Sequence, residues 1–514
     1  MRFIVIILGL AIASWTNAQM NPQSKAITKS FFPDPEVEMT TPAFLKQKGF
    51  TTYDEMLTFI STLQSKHSEV VSIRYIGQSQ LGVKIPLVHI ERKNNVKRKV
   101  KVWLQGAIHG DEPASTEAML FLMDKLLNDK QYSSLLENLI IEIVPMANID
   151  GSAKHERVSA NGLDLNRDQT KLMAPESRYL KQAFSDFGAE VALDIHEYMP
   201  YRKDYQQFGD FGVVPHYDVM LMYSGNLNVP TNLRDFTKNV FVDNCLQVLD
   251  ENKLSHIDYF STDKVRGEIQ IRQGSLSARS SATSFALSNA VSSLIEIRGG
   301  NLGRTSLKRR VYTGFVVALS YIKTASSRVD DVKDNIAMAI AQPNKQLVVT
   351  SRTPKLVQNI DFIDLESNKV KPFEVNLYNA WNAQPDLIRT RPTAYILLPS
   401  QLVLVEKLKV LGLQVDVLKQ EKVVDVEVFV ISEYEQDETK TEQVYRQNVK
   451  TSIKQEQRTI PAGSFVVSMN QPKSNLAIEV FEPEAPNSFV SFAVLKVELN
   501  QELPIYRYLL KDNL

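Results

Sequence analysis

The chain of 514 residues carries 59 Lys and Arg against 59 Asp and Glu, a formal net charge of +0, with 43% hydrophobic and 23% charged residues. This balance excludes a disordered chain and a general nucleic-acid binder, which would show a clear basic excess; the length allows large cores and more than one domain. The single cysteine, Cys245, excludes an internal disulfide framework and a thiolate metal cluster, and its apolar setting predicts a buried packing residue.

In chain order, Arg2, the apolar run Phe3 to Ala13 and the small residues around Ala18 have the layout of a secretory signal peptide over residues 1–18. The run is far short of the roughly 20 apolar residues that span a bilayer, and no later stretch is long enough. A periplasmic or secreted protein without a membrane span is expected, with its mature start near Gln19. Residues 19–50, dotted with Pro22, Pro33, Pro35 and Pro42, read as an extended lead-in.

Tyr53 opens a helical pattern with Met56, Phe59, Ile60 and Leu63 on one face. Strands are predicted over 70–76, 84–90, 100–104, 139–144, 191–195 and 294–297, with a helix after residue 112 and a closing stretch over 311–322. Strands alternating with helices define an α/β domain over 51–325 with a mixed sheet flanked by helices. The charged, then Gln-Pro-Asn stretch at 326–345 reads as a linker. Residues 346–514 read as an α/β or β-rich accessory domain, with strands near 393–398, 414–418, 423–431 and 464–468 and a helix over 403–411 stopped by Gly412.

Chemistry concentrates at four places. His109-Gly110-Asp111-Glu112 follows a strand and puts an imidazole and a carboxylate at zinc-ligand spacing; His196 ends another strand. Such strand ends are where open α/β sheets place their sites. His109, Glu112 and His196 together make a two-histidine, one-carboxylate set. Between them, Arg157, Asn166 and Arg167 surround a glycine turn and can clamp a carboxylate. Glu296 stands inside the apolar run Leu294 to Ile297; it reads either as half of an edge pair with Arg298 or as a general base.

These motifs, in this order, resemble the zinc carboxypeptidase family over roughly residues 50–320. The resemblance implies one Zn2+ per chain held by His109, Glu112 and His196, and Glu296 as the catalytic carboxylate. Asn166 and Arg167 would anchor the free C-terminal carboxylate of a peptide substrate, Arg157 would polarise the scissile carbonyl, and Asp164 would orient a ligand histidine. The implied activity is that of a secreted zinc-dependent metallocarboxypeptidase. The alternatives are a zinc-dependent deacylase or amidohydrolase acting on small acylated amino acids or cell-wall peptides, and a non-catalytic binding protein. The C-terminal region resembles the accessory part of large secreted bacterial members. One departure stands out: the family's mobile tyrosine, some twenty residues before the catalytic glutamate, has no counterpart in Gly274 to Ala290. Arg279 is the only charge in Gly274 to Ser281; lining the pocket for the substrate's last side chain, it would favour an acidic one.

Overall fold

The computed structural model describes residues 24–265 and 267–510, so the signal-peptide segment lies outside the described residues. An eight-stranded sheet runs from edge to edge through Val71–Gln78, Lys84–Glu91, Leu139–Val144, Val100–Gly106, Val191–Tyr198, Val291–Arg298, Val219–Tyr223 and His256–Asp258. Its three middle strands, Val100–Gly106, Val191–Tyr198 and Val291–Arg298, are parallel. Every residue of Val191–Tyr198 is buried. Such strands are normally continuous apolar runs, which makes Asp194, His196 and Glu197 conspicuous.

Helices flank both faces. Pro113–Asn128 and Leu307–Ser327 cover one, with Gly314 tight against Ala118 and Ile297. Pro175–Phe187 and Ser281–Leu287 cover the other, where Phe184 stacks on Phe285 and meets the edge of Trp103. Cys245 is fully buried in this core, and burial pushes its thiol up to about 12, so it packs and does not react.

The boundary expected at 326–345 is crossed by a second sheet of five strands. It runs Val213–Pro215, Lys355–Asp364, Lys369–Asn379, Glu268–Gln273, Phe260–Val265, so strands from both sides of residue 345 pair directly. Phe260, Ile271, Phe362 and Leu377 share the core beneath it. A further core joins Leu172, Ala278 and Leu287 to Leu347, Tyr395, Leu476 and Phe481. The expected linker contains the helix Val329–Ala341, which buries Val332 and Ala339 and begins with Asp330 and Asp331 at the end where the helix dipole favours them. The lead-in is not wholly extended: Lys25–Phe31 is a helix capped by Ser24, held because Ile27 and Phe32 bury against Val214 and Ile363.

A six-stranded sheet ends the chain, and its two longest strands, Lys422–Thr441 and Val444–Ile460, form a hairpin. The turn residues Glu442 and Gln443 both have positive φ, 51° and 63°, the conformation a two-residue turn of this hand requires. Gln443 Nε2 donates to the Asn161 carbonyl at 2.6 Å, so the hairpin reaches back to the glycine turn between Arg157 and Asn166. No helix among the described residues is long and apolar enough to cross a membrane.

Candidate metal centre

The strand Val100–Gly106 ends in a tight turn whose Ala107 takes φ 50°, held by a hydrogen bond from its N–H to Ser115 Oγ at 2.8 Å. Gly110 then passes so close to the backbone of Gly151 that a Cβ would stand 2.0 Å from its carbonyl carbon, so only glycine fits there. Glu112 stands at the N-cap position of the following helix without a side-chain capping bond, which leaves its carboxylate free for the cluster, and Pro113 is the first helical residue. This turn carries His109 and Glu112 to the end of the neighbouring strand, where His196 points toward them.

Three donors converge. His109 Nδ1 lies 2.8 Å from Glu112 Oε1, His196 Nδ1 lies 2.9 Å from Glu112 Oε2, and the two Nδ1 atoms are 3.1 Å apart. All three residues are buried. The outer nitrogens go to carboxylates: His109 Nε2 is 3.0 Å from Asp164 Oδ1, and His196 Nε2 is 2.9 Å from Asp194 Oδ2. A carboxylate accepts, so each ring donates there and each Nδ1 keeps its lone pair. Three acceptors facing one another are mutually repulsive and suit a cation. Tetrahedral zinc with bonds of about 2.0–2.1 Å would set such donors roughly 3.3 Å apart, close to what is found. The donor set fits zinc, and the histidine–carboxylate pairs fix both tautomers. Asp194 was given no role on sequence grounds; its signal is its place two residues before His196, on the same strand face.

Glu296 is the register partner of His196 across the parallel pair, so both side chains share one face of the sheet. Burial pushes its carboxyl up to about 7, with His196, His109 and Arg157 pulling the other way and Glu112 adding to the rise. Arg157 donates to Asp164 through Nε and Nη2 at 3.2 and 3.0 Å, and its Nη1 is 3.5 Å from Glu112. Burial opposes a charge on Asp164, but His109 and then Arg157 outweigh it and hold that carboxyl well below the usual carboxylate range.

Asn166 is buried, its Nδ2 beside His196 Nε2 at 3.4 Å and its Oδ1 accepting the Ser281 N–H at 2.7 Å. It therefore ties the Arg167 turn to the helix before the Glu296 strand. Arg167 lines the cavity, with Nη1 on the Asn166 carbonyl at 2.9 Å. Arg279 lines it too, 3.6 Å from Glu442 at the hairpin tip and over the ring of Phe492. The acidic preference expected of Arg279 assumed a guanidinium lacking a partner; the C-terminal region supplies one. Tyr259, from another strand end, also faces the cavity, with Glu296, Arg167 and Arg157 as charged neighbours of its phenol. The cavity is about 680 Å³.

Residues 56–226 match the family model described as Zinc carboxypeptidase. A curated relative, Carboxypeptidase 2 of Trichophyton rubrum, is 28% identical over 98% of this chain and 99% of its own length. Carboxypeptidase D of Homo sapiens is 29% identical over 28% of this chain and 12% of its own. Among solved structures, carboxypeptidase A from Helicoverpa armigera covers 57% of this chain and 78% of its own at 18% identity, with a TM-score of 0.44. Residues 56–226 are thus a zinc carboxypeptidase domain, and the relatives' shared name of carboxypeptidase fits a peptide hydrolase. The relatives matched along the whole length are fungal, so the C-terminal region is not confined to bacterial members.

Proposed function

We propose that the protein removes the C-terminal residue of peptides, with His109, Glu112 and His196 holding one zinc ion and Glu296 acting as general base. The observation that carries this reading is the convergence of the three donors beside Glu296 on one sheet face. Zinc bound there supplies a Lewis acid that polarises a carbonyl and eases deprotonation of water. Glu296 accepts a proton from the attacking water and returns it to the amine nitrogen as the C–N bond breaks. Arg157 donates hydrogen bonds to the carbonyl oxygen as it gains negative charge. Arg167 holds the terminal carboxylate, Asn166 fixes the turn that carries Arg167, and Arg279 adds positive potential on the same wall. Tyr259 is the phenol available to cover the substrate in place of the one missing from Gly274 to Ala290. The catalytic groups belong to residues 51–325, while 346–514 closes the cavity wall. The signal-peptide layout of residues 1–18 supports a periplasmic or secreted location.

The test is Arg167→Ala on matched peptides with free and amidated C-termini. A charge-assisted hydrogen bond contributes roughly 1.5–3 kcal/mol, so kcat/KM on the free peptide should drop about ten- to a hundredfold. Wild-type enzyme that cleaves both peptides equally would refute the reading.

A further inference from the structure

The helix Ser474–Phe481 is buried at every residue, and one of them is a carboxylate, Glu479, 4% exposed. Its Oε1 accepts from Asn226 Nδ2 and Asn228 Nδ2, both at 2.9 Å. These amides are themselves fixed: Asn226 Nδ2 also donates to the Leu276 carbonyl and Asn228 Nδ2 to the Val348 carbonyl, each at 2.8 Å. Among the described residues Oε2 has no hydrogen bond, and no Lys, Arg or His lies within ion-pair distance of Glu479.

Glu479 lines the cavity that holds Glu296. From Glu296 the wall steps two residues back along its strand to Leu294, whose register partner is Met222. The strand carrying Met222 ends at Tyr223 and leads to Asn226, Asn228 and so to Glu479. The cavity thus has a catalytic end, an apolar middle and a carboxylate floor. The other carboxylates at its wall are accounted for: Glu112 belongs to the donor cluster, Glu197 pairs with Arg310 at 2.5 Å, and Glu296 is the base. The ion-pair partner of Arg279 is Glu442, 3.6 Å away at the hairpin tip, so the charge of Arg279 is met there and not by Glu479. Burial raises the Glu479 carboxyl, as expected for an acid without a countercharge.

We propose that Glu479 is a specificity residue supplied by the C-terminal region, the floor of the pocket for the substrate's last side chain, and that it selects lysine or arginine there. The methylene stem of a basic residue would pass Leu294 and Met222, and its cationic head would meet the free Oε2. The proposal rests on Arg167 holding the terminal carboxylate in the same cavity.

The experiment measures kcat/KM on matched peptides ending in Lys, Leu or Glu, for full-length wild type and Glu479→Gln, with an amidated Leu peptide as control. The Lys peptide should lead in wild type. In the variant it should lose about ten- to a hundredfold, chiefly through KM, with the Leu peptide unchanged or improved. A Leu or Glu lead in wild type, with the amidated control uncleaved, overturns the Glu479 assignment and leaves the carboxypeptidase reading intact. An equal loss on all three peptides in the variant overturns it too, because that is the signature of a purely structural contact. Cleavage of the amidated control as fast as the free peptide overturns both. The wild-type ranking needs no variant, so an unfolded Glu479→Gln does not block the test.

Discussion

Arg279 of the catalytic part and Glu442 of the C-terminal hairpin stand 3.6 Å apart at the cavity wall. Both are partly exposed, 24% and 17%, so the pair is worth about 1 kcal/mol or less. Its importance is local: Glu442 offsets a guanidinium that neighbours Arg167. Glu442→Ala should leave Arg279 free beside Arg167, and kcat/KM on peptides with a free C-terminal carboxylate should rise by roughly two- to fivefold. Steady-state kinetics on matched free and amidated peptides checks this; no gain for the free peptide would mean that Arg279 does not act on the terminal carboxylate.

The pairing of His196 with Asp194 gives a second prediction. Partners of this kind orient a ligand ring, and their loss commonly costs ten- to a hundredfold in metal affinity. Asp194→Asn and Asp164→Asn should each weaken zinc binding by about that factor, measured by competition with a chromophoric chelator. His109→Ala and His196→Ala should abolish it. Wild-type zinc affinity in Asp194→Asn would show that the ring needs no anchor.

How much of this was legible in the sequence depends on distance along the chain. His109 and Glu112 share one turn, and His196 and Glu296 each interrupt an apolar run, so local spacing exposed them. Asp194 was equally local, but a buried aspartate beside a ligand reads as part of the strand until its partner is seen. The helix Val329–Ala341 carries helical spacing in Val329, Val332, Ile336 and Ala339, yet its surface charges gave it the look of a linker. Glu442, Glu479 and the strand Lys369–Asn379 reach the site or its supporting sheet through long-range packing, and no periodicity in one chain reports which strand pairs with which. The pairing of strands from both sides of the expected boundary is invisible in the sequence for that reason.

The position of Glu296 makes the pH profile informative. A general base works deprotonated, so kcat/KM must fall as pH drops through its pKa. Burial sets that carboxyl near 7 against an ordinary 4.5, and the positive charge of bound zinc draws it back down. The acid limb should therefore fall between those values, well placed for a base at neutral pH. Glu296→Gln should remove nearly all turnover while zinc content stays at wild-type level. An acid limb at the ordinary carboxylate pKa or below would mean that burial is not felt in the holoenzyme.

The last prediction concerns the chain's division. The strands Lys355–Asp364 and Lys369–Asn379 complete a sheet that begins with Phe260–Val265 and Glu268–Gln273. Removing everything after residue 345 would unpair Glu268–Gln273 on one side and uncover Phe260, Ile271 and Met220, all buried beneath Phe362 and Leu377. It would also strip Leu172, Ala278 and Leu287 of their shared core. Each large apolar side chain returned to water costs about 1.5–3 kcal/mol, so a handful equals the whole stability of a typical domain, roughly 5–15 kcal/mol. The unpaired strand would add an exposed edge that invites aggregation. A chain ending at residue 345 should be insoluble, or molten by near-ultraviolet circular dichroism, although it retains His109, Glu112, His196 and Glu296. A soluble fragment with a cooperative melt and one bound zinc would show that residues 51–325 fold alone and that the shared sheet is dispensable.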